Sequence, residues 1–289
     1  NNKGTEDNRV RKLDYSIQIS ELFYKRFLND EEITEVVRVL RSGKLACGPE
    51  TSLFESEFAD FVGSEYACAA INGTAALSLA LLAADVGEGD EVITSPMTFI
   101  ATGNAILSVG ATPVFVDIDE QSYNISANKV QAAITENTKA VLAIHLYGHP
   151  AEMNTLQEIC HSNDLVLVGD AAQAHGAAIG SKRVGSFGDL ECFSFYATKN
   201  MTTGEGGMVT TNDEDLFHRL VSIRNHGRPD SSLGYYKHER FGLNLRLTDI
   251  GSAIGRVQLR KLPRFNELRS RNAKIYIQEL SSVEGISLP

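Results

Sequence analysis

Between residues 66 and 227 short apolar runs alternate with helix-length segments. YACAAI (66–71) reads as a strand and AALSLALLAADV (75–86) as a helix hydrophobic enough to be buried on most sides. EVITS (91–95), TPVFVDI (112–118), AVLAIHLYG (140–148) and LVLVGDAAQ (165–173) are further strands. Helices over 98–110, 126–135 and 153–163 separate them. LECFSFYAT (190–198) and GGMVTTN (206–212) are two more strands, and EDLFHRLVSIRNHG (214–227) closes the series as a helix. Strands that alternate with helices predict an α/β domain: a mostly parallel central sheet between helices.

Two helices are predicted ahead of this series. In EEITEVVRVLRSG (31–43), Ile33, Val36, Val37 and Leu40 recur at helical spacing, Asn29 or Asp30 can cap the start, and Gly43 suits the end. TSLFESEFADFVG (51–63) follows a turn at Gly48-Pro49. Behind the series, residues 224–246 read as a polar loop, and 248–280 as helix interrupted near Pro263. The expected organisation is an N-terminal arm (1–26), a large α/β domain (27–250), and a helical connection opening a small C-terminal domain (251–289).

The strand ends are where chemistry is expected, because open α/β sheets bind ligands at their carboxyl edge. Asn72-Gly73-Thr74 follows the first strand and opens a helix. That arrangement makes an anion cradle, or an ordinary turn capped by Thr74. Asp170 ends the run LVLVG, as a functional carboxylate or as the partner of a cap or a structural arginine. Lys199 follows LECFSFYAT, as an amine whose pKa is lowered by its apolar surroundings or as a lysine reaching solvent. Together the three supply what pyridoxal phosphate requires: a cradle for the phosphate, a carboxylate for the pyridine nitrogen and an amine for the aldehyde. His145 and His175 lie near strand ends and read as hydrogen-bonded structural histidines.

Composition narrows the partners. The formal net charge of −10 argues against nucleic acid. Four cysteines without a C-x-x-C pair read as free thiols in a reducing cytoplasm and predict no metal site. No run of eighteen apolar residues predicts a membrane span. Neither G-x-G-x-x-G after the first strand nor a Walker loop is present.

GDAAQAHGA (169–177) and FSFYATKNMTTGEGGMV (193–209) resemble the DegT/DnrJ/EryC1/StrS aminotransferases, fold-type-I pyridoxal phosphate enzymes acting mostly on nucleotide-linked keto sugars. The segments RSGKLACGPETSLFESEFADFVG, INGTAALSLAL, SPMTFIATGNAIL, GATPVFVDID, AIHLYG, RNHGR and GLNLRLTDIGSAIGRVQL follow in the family's order, so the resemblance runs from about Phe27 to Leu262. It implies that Lys199 forms the internal aldimine and shuttles a proton, that Asp170 binds the pyridine nitrogen and that Gln173 lies near the phenolic oxygen. Phe99 would stack on the ring, while Gly73, Thr74, Ala75 and Ser194 would hold the phosphate. Asn244 and Arg246 would come from the neighbouring subunit of a homodimer. The function implied is amino transfer from an amino acid, L-glutamate, to a nucleotide-linked keto sugar, with Arg224, His226, Arg228, Lys237, His238 and Arg240 available to a diphosphate. A lyase or an enzyme acting on a non-nucleotide ring ketone, and a non-catalytic relative, remain alternatives.

Overall fold

The structure is a computed structural model that describes residues 28–229, 236–286 and 288. The expected arm lies outside the described residues, as does the stretch 230–235 of the polar loop. The elements run α1 (Asp30–Ser42), α2 (Pro49–Val62), β1 (Tyr66–Ala70), α3 (Gly73–Ala83), β2 (Glu91–Thr94), α4 (Ala101–Ser108), β3 (Thr112–Phe115), α5 (Ala127–Ala133) and β4 (Thr138–Ile144). They continue with α6 (Met153–Ser162), β5 (Val166–Asp170), the short hairpin β6 (Ala178–Ile179) and β7 (Lys182–Arg183), β8 (Leu190–Ser194), β9 (Gly207–Thr211), α7 (Glu214–Arg224) and α8 (Asp249–Leu280).

Among the described residues the central sheet has seven strands in the order β1-β9-β8-β5-β4-β2-β3. The pairs β8/β5, β5/β4, β4/β2 and β2/β3 are parallel, while β9 runs antiparallel to both its neighbours. Side chains alternate across the sheet with the strand period of two. Cys68, Ala70, Leu142, Cys192 and Val209 pack against Leu77, Ile106 and Leu220 of α3, α4 and α7. On the other face Ala67, Ala69, Phe193 and Met208 meet Phe54 and Phe58 of α2 and Leu259 and Leu262 of α8. Farther along that face, Ile93, Val141 and Leu167 meet Val130 of α5 and Met153 and Leu156 of α6. Both faces are covered, which is why β8 and β9 are buried at every position instead of alternating.

Three expectations change. The cap of α1 is Asn29, in a reciprocal capping box with Glu32, and Gly43 (φ +72°) ends the helix as expected. Its buried residues, however, are Glu32 and Val39, whereas Ile33 and Leu40 are 61% and 51% exposed. Glu32 turns that side inward because Lys261 Nζ and Gln258 Nε2 of α8 reach its Oε1 at 2.8 and 2.7 Å. Helix α8 runs unbroken through Pro263, held by buried residues up to Leu262 on one side of the missing N–H and by hydrogen bonds from Asn266 and Arg269 on the other. Finally, Asn72, not Thr74, caps α3, with its side chain accepting from Ala75 N at 2.8 Å. No helix among the described residues is long and apolar enough to cross a membrane.

Candidate active site

The site forms where β9 reverses direction. Strand β8 ends at Ser194, the loop carrying Lys199 follows, and β9 starts at Gly207 beside it in the register Ser194↔Gly207. An antiparallel strand starts at the edge where its neighbours end, so Gly207 also lies level with the end of β1 (Ala70↔Gly207). The first turn of α3 is thereby pressed onto Ser194. A Cβ on Gly73 would come within 2.6 Å of Ser194 Cβ, and one on Gly207 within 2.4 Å of Asn72 O. Only glycine permits this approach.

A cavity of about 980 Å³ opens there, lined by Gly73, Thr74, Ala75, Phe99, Asp170, Gln173, Ser194 and Lys199. All the expected residues except Asn244 and Arg246 therefore meet in one space. Gly73 and Thr74 are the first two residues of α3, where backbone N–H groups have no intrahelical acceptor. The Ala75 N–H is already engaged by Asn72. Ser194 Oγ accepts weakly from Tyr196 N at 3.4 Å, which leaves its proton free to donate.

Asp170 is 8% exposed. Its Oδ2 accepts from Thr102 Oγ1 at 2.8 Å and its Oδ1 from Ala172 N at 3.2 Å. Thr98 Oγ1 lies 2.7 Å from Thr102 Oγ1, so with Thr102 donating onward the relay runs Thr98 to Thr102 to Asp170. Burial pushes the Asp170 carboxyl above the usual carboxylate range, opposed by Thr102, by the Ala172 N–H and by the charge of Lys199. Burial likewise pushes the Lys199 ammonium below the usual lysine value, with Asp170 opposing. A lysine so placed has a larger neutral fraction and is a better nucleophile.

Gln173 is oriented by a backbone donor. Tyr147 N gives its hydrogen to Gln173 Oε1 at 2.7 Å, so the amide NH2 is left to donate elsewhere. Tyr147 adopts a left-handed conformation (φ +55°), uncommon for a bulky residue, within the turn Leu146–Gly148. Phe99 is 72% exposed at the cavity rim.

His145 is a hydrogen-bonded structural histidine, as expected. Its Nδ1 accepts from Ala151 N at 3.1 Å, so Nε2 carries the proton toward Glu191 Oε2 at 3.0 Å. His175 differs: among the described residues neither of its buried ring nitrogens has a partner at full hydrogen-bond geometry, with only weaker approaches to Ser194 and Asn200. Its ring packs instead against Phe193 and Phe195, and burial pushes its pKa down to about 3.

Asn244 and Arg246 do not line the cavity of their own chain, and Arg246 donates to Asn225 Oδ1 at 2.7 Å. Of the basic residues offered to a diphosphate, Arg224 is withdrawn. It is buried, paired with Glu55 and bonded to Ala69 O at 2.9 Å. Lys237 is paired with Glu239, and His238 Nδ1 lies 2.7 Å from His226 O. Thr98, Thr102 and the Tyr147 N–H are the participants that sequence reasoning missed. The four-residue spacing of the two threonines at a helix start was the one signal available for them.

A model of the DegT/DnrJ/EryC1/StrS aminotransferase family matches residues 27–289. The chain belongs to this family. It is 42% identical over 270 residues to the spore coat polysaccharide biosynthesis protein SpsC of Bacillus subtilis, covering 91% of this chain and 69% of that protein. It is 41% identical over 263 residues to a UDP-N-acetyl-3-dehydro-alpha-D-glucosamine 3-aminotransferase of Acidithiobacillus ferrooxidans, covering 91% and 70%. Among solved structures, S. venezuelae DesV, in complex with a ketimine intermediate, superposes with a TM-score of 0.86 at 38% identity, covering 94% of this chain and 73% of that one.

Like its family, the chain is a pyridoxal phosphate-dependent aminotransferase of fold type I. The residues present fit the cofactor: two free N–H groups and a hydroxyl in a glycine-lined cradle, a buried carboxylate and an amine of lowered pKa face one cavity.

Proposed function

We propose that this aminotransferase moves the amino group of L-glutamate to the keto group of a nucleotide-linked sugar, with Lys199 as its nucleophile and proton carrier. The observation that carries the reading is the juxtaposition of Lys199 and Asp170 in one cavity beside the Gly73–Ser194 cradle. The sugar class is supported by the relative named for a UDP-linked dehydro-sugar.

Pyridoxal phosphate, when bound, supplies an aldehyde that takes up the amino group and a ring that accepts the electron pair released at carbon. The Gly73 and Thr74 N–H groups and the Ser194 hydroxyl bind its phosphate, favoured by the positive end of the α3 dipole. The Asp170 carboxylate holds a proton on the ring nitrogen, and Thr102 and Ala172 N fix both its oxygens. The Gln173 NH2 donates to the phenolic oxygen because Tyr147 N occupies its Oε1. Phe99 covers one ring face. Lys199 Nζ would take the proton from the donor's α-carbon and hold it for return as the amino group is passed on.

We also propose a cytoplasmic homodimer. The exposed apolar rim of the site (Phe99, Tyr147, Phe241) and the outward stripe of α1 (Ile33, Leu40) support it, as large apolar patches mark interfaces. In that dimer Asn244 and Arg246 reach the partner's cavity.

The test is to load the protein with pyridoxal phosphate, reduce it with borohydride and map the modified peptide. The expected result is one adduct, on Lys199, absent from Lys199→Ala. In a separate, unreduced sample L-glutamate alone shifts the absorbance to the amine form, and an unchanged spectrum overturns the donor. Mixing Lys199→Ala with Arg246→Ala tests the shared site: random exchange restores about a quarter of full activity, and no recovery places Arg246 in its own subunit's chemistry.

A further inference from the structure

Two loops carry the chemistry, and a third element ties them together. One loop follows β5 and holds Asp170, Gln173 and His175. The other follows β8 and holds Lys199 and Asn200. Helix α8 crosses behind both. Asn266 Nδ2 donates to His175 O at 2.7 Å. Arg269 Nη1 donates to Asn266 Oδ1 at 3.1 Å, and Arg269 Nη2 donates to Asn200 O at 3.0 Å. The result is a bridge of three hydrogen bonds, from the residue two beyond Gln173 to the residue after Lys199.

The sequence around the bridge is fitted to it. Asn266 and Arg269 are three apart and so share one face of the helix. Arg269 occupies the Asn266 oxygen, which turns the Asn266 NH2 toward His175. Gly176 has φ +82°, and a Cβ there would lie 2.7 Å from Asn266 Nδ2, so a side chain would displace the amide. Gln258, two helical turns earlier than Asn266, accepts from Thr202 N at 3.4 Å and holds the far side of the Lys199 loop. The His175 ring packs against Phe193 and Phe195, and its backbone carbonyl is the group that Asn266 holds.

We propose that Asn266 and Arg269 are positioning residues that set the spacing between Lys199 and the Asp170–Gln173 loop. This rests on the role proposed for Lys199 above. Neither residue touches the cavity. They act by fixing the two main chains from behind, and a misplacement of about 1 Å can cost roughly a hundredfold in rate.

The experiment uses the full chain. Hydrogen exchange is followed in peptides covering 171–177 and 196–203, without cofactor, in Asn266→Ala, Arg269→Ala and the double variant. Arg264→Ala, on the same half of α8 and paired with Glu267, serves as the control. The bridge predicts faster exchange, by about tenfold, in both loops for either single variant. It predicts a kcat lower by about 10- to 100-fold with KM within about threefold. The double variant is no worse than the poorer single, because one bridge can be broken only once. If Arg269→Ala does not fold, Arg269→Lys keeps the charge but not the two-pronged geometry, and the same readings apply. Exchange unchanged in either loop, additive losses, an unaltered kcat, or an equal effect of Arg264→Ala overturns the proposal. Failure of the Lys199 role shows separately, as activity kept by Lys199→Ala.

Discussion

Asp170 and Asp249 are both buried carboxylates, 8% and 1% exposed, and each stands at the end of a structural element. Asp249 opens α8 just after the cap Thr248. Its Oδ1 accepts from Gly48 N at 2.8 Å, Thr51 N at 3.1 Å and Thr51 Oγ1 at 2.8 Å. Those donors belong to the start of α2, so the carboxylate staples α2 to α8, and the dipole of α8 favours its charge. Asp170 receives one hydrogen bond on each oxygen and faces a cavity and an amine. Burial alone therefore does not separate a structural acid from one proposed for chemistry. What separates them is what each one faces: Asp249 is packed against the start of α2, whereas Asp170 opens onto a cavity with room for a guest.

Replacing each with alanine should split the two cleanly. Asp170→Ala is expected to lower kcat by about 10² to 10³, while the melting temperature of the cofactor-free protein moves little, because cavity water can reach the Thr102 and Ala172 donors. Asp249→Ala is expected to cost about 3 kcal/mol in denaturant unfolding, through three donors left without an acceptor in a dry site. Its activity per folded molecule should stay near wild type. Equal stability losses in the two variants would erase the distinction.

Thr102→Val sharpens the picture from the side of Asp170. It removes one hydrogen bond to a charged group, and a rate loss of about tenfold is expected. Asp170→Ala combined with Thr102→Val should then be no worse than Asp170→Ala alone.

The smallest effect concerns Lys199 and pH. Its folded pKa lies below its unfolded value, so the charged form is disfavoured in the folded protein. That penalty is full below the folded pKa and vanishes as pH rises through the unfolded value, about 10.4. Lys199→Met, without cofactor, should therefore melt higher than wild type at pH 7, with the gain shrinking as pH rises from the folded pKa toward the unfolded value and gone above it. A lower melting temperature at pH 7 would mean that the amine is held by favourable contacts and is not strained by burial.

Most of the fold was legible because its signal is local. The alternation of strands and helices from Tyr66 to Gly227, and the glycine and acid positions at strand ends, follow from periodicity over a few residues. The reversed direction of β9 was not legible, since strand length and burial are the same for either direction. The inward face of α1 was not legible either. Ile33, Val37 and Leu40 mark an apolar stripe, but Lys261 and Gln258, more than two hundred residues away in sequence, pull Glu32 inward. Arg224 is offered to a diphosphate by its local sequence, but in the folded chain Glu55 and Ala69 O hold it.

By itself the sequence determined the α/β class and the order of the main elements, and it marked Gly73, Asp170 and Lys199 as candidates, because each is written in contiguous residues. Tertiary structure alone decided how they meet. Only the antiparallel insertion of β9 brings Gly207, Ser194 and Gly73 to one edge, and only the return of α8 places Asn266 and Arg269 behind the two active loops. Hydrogen bonds and close packing between distant segments depend on where the whole chain goes, and no local window of residues contains that information.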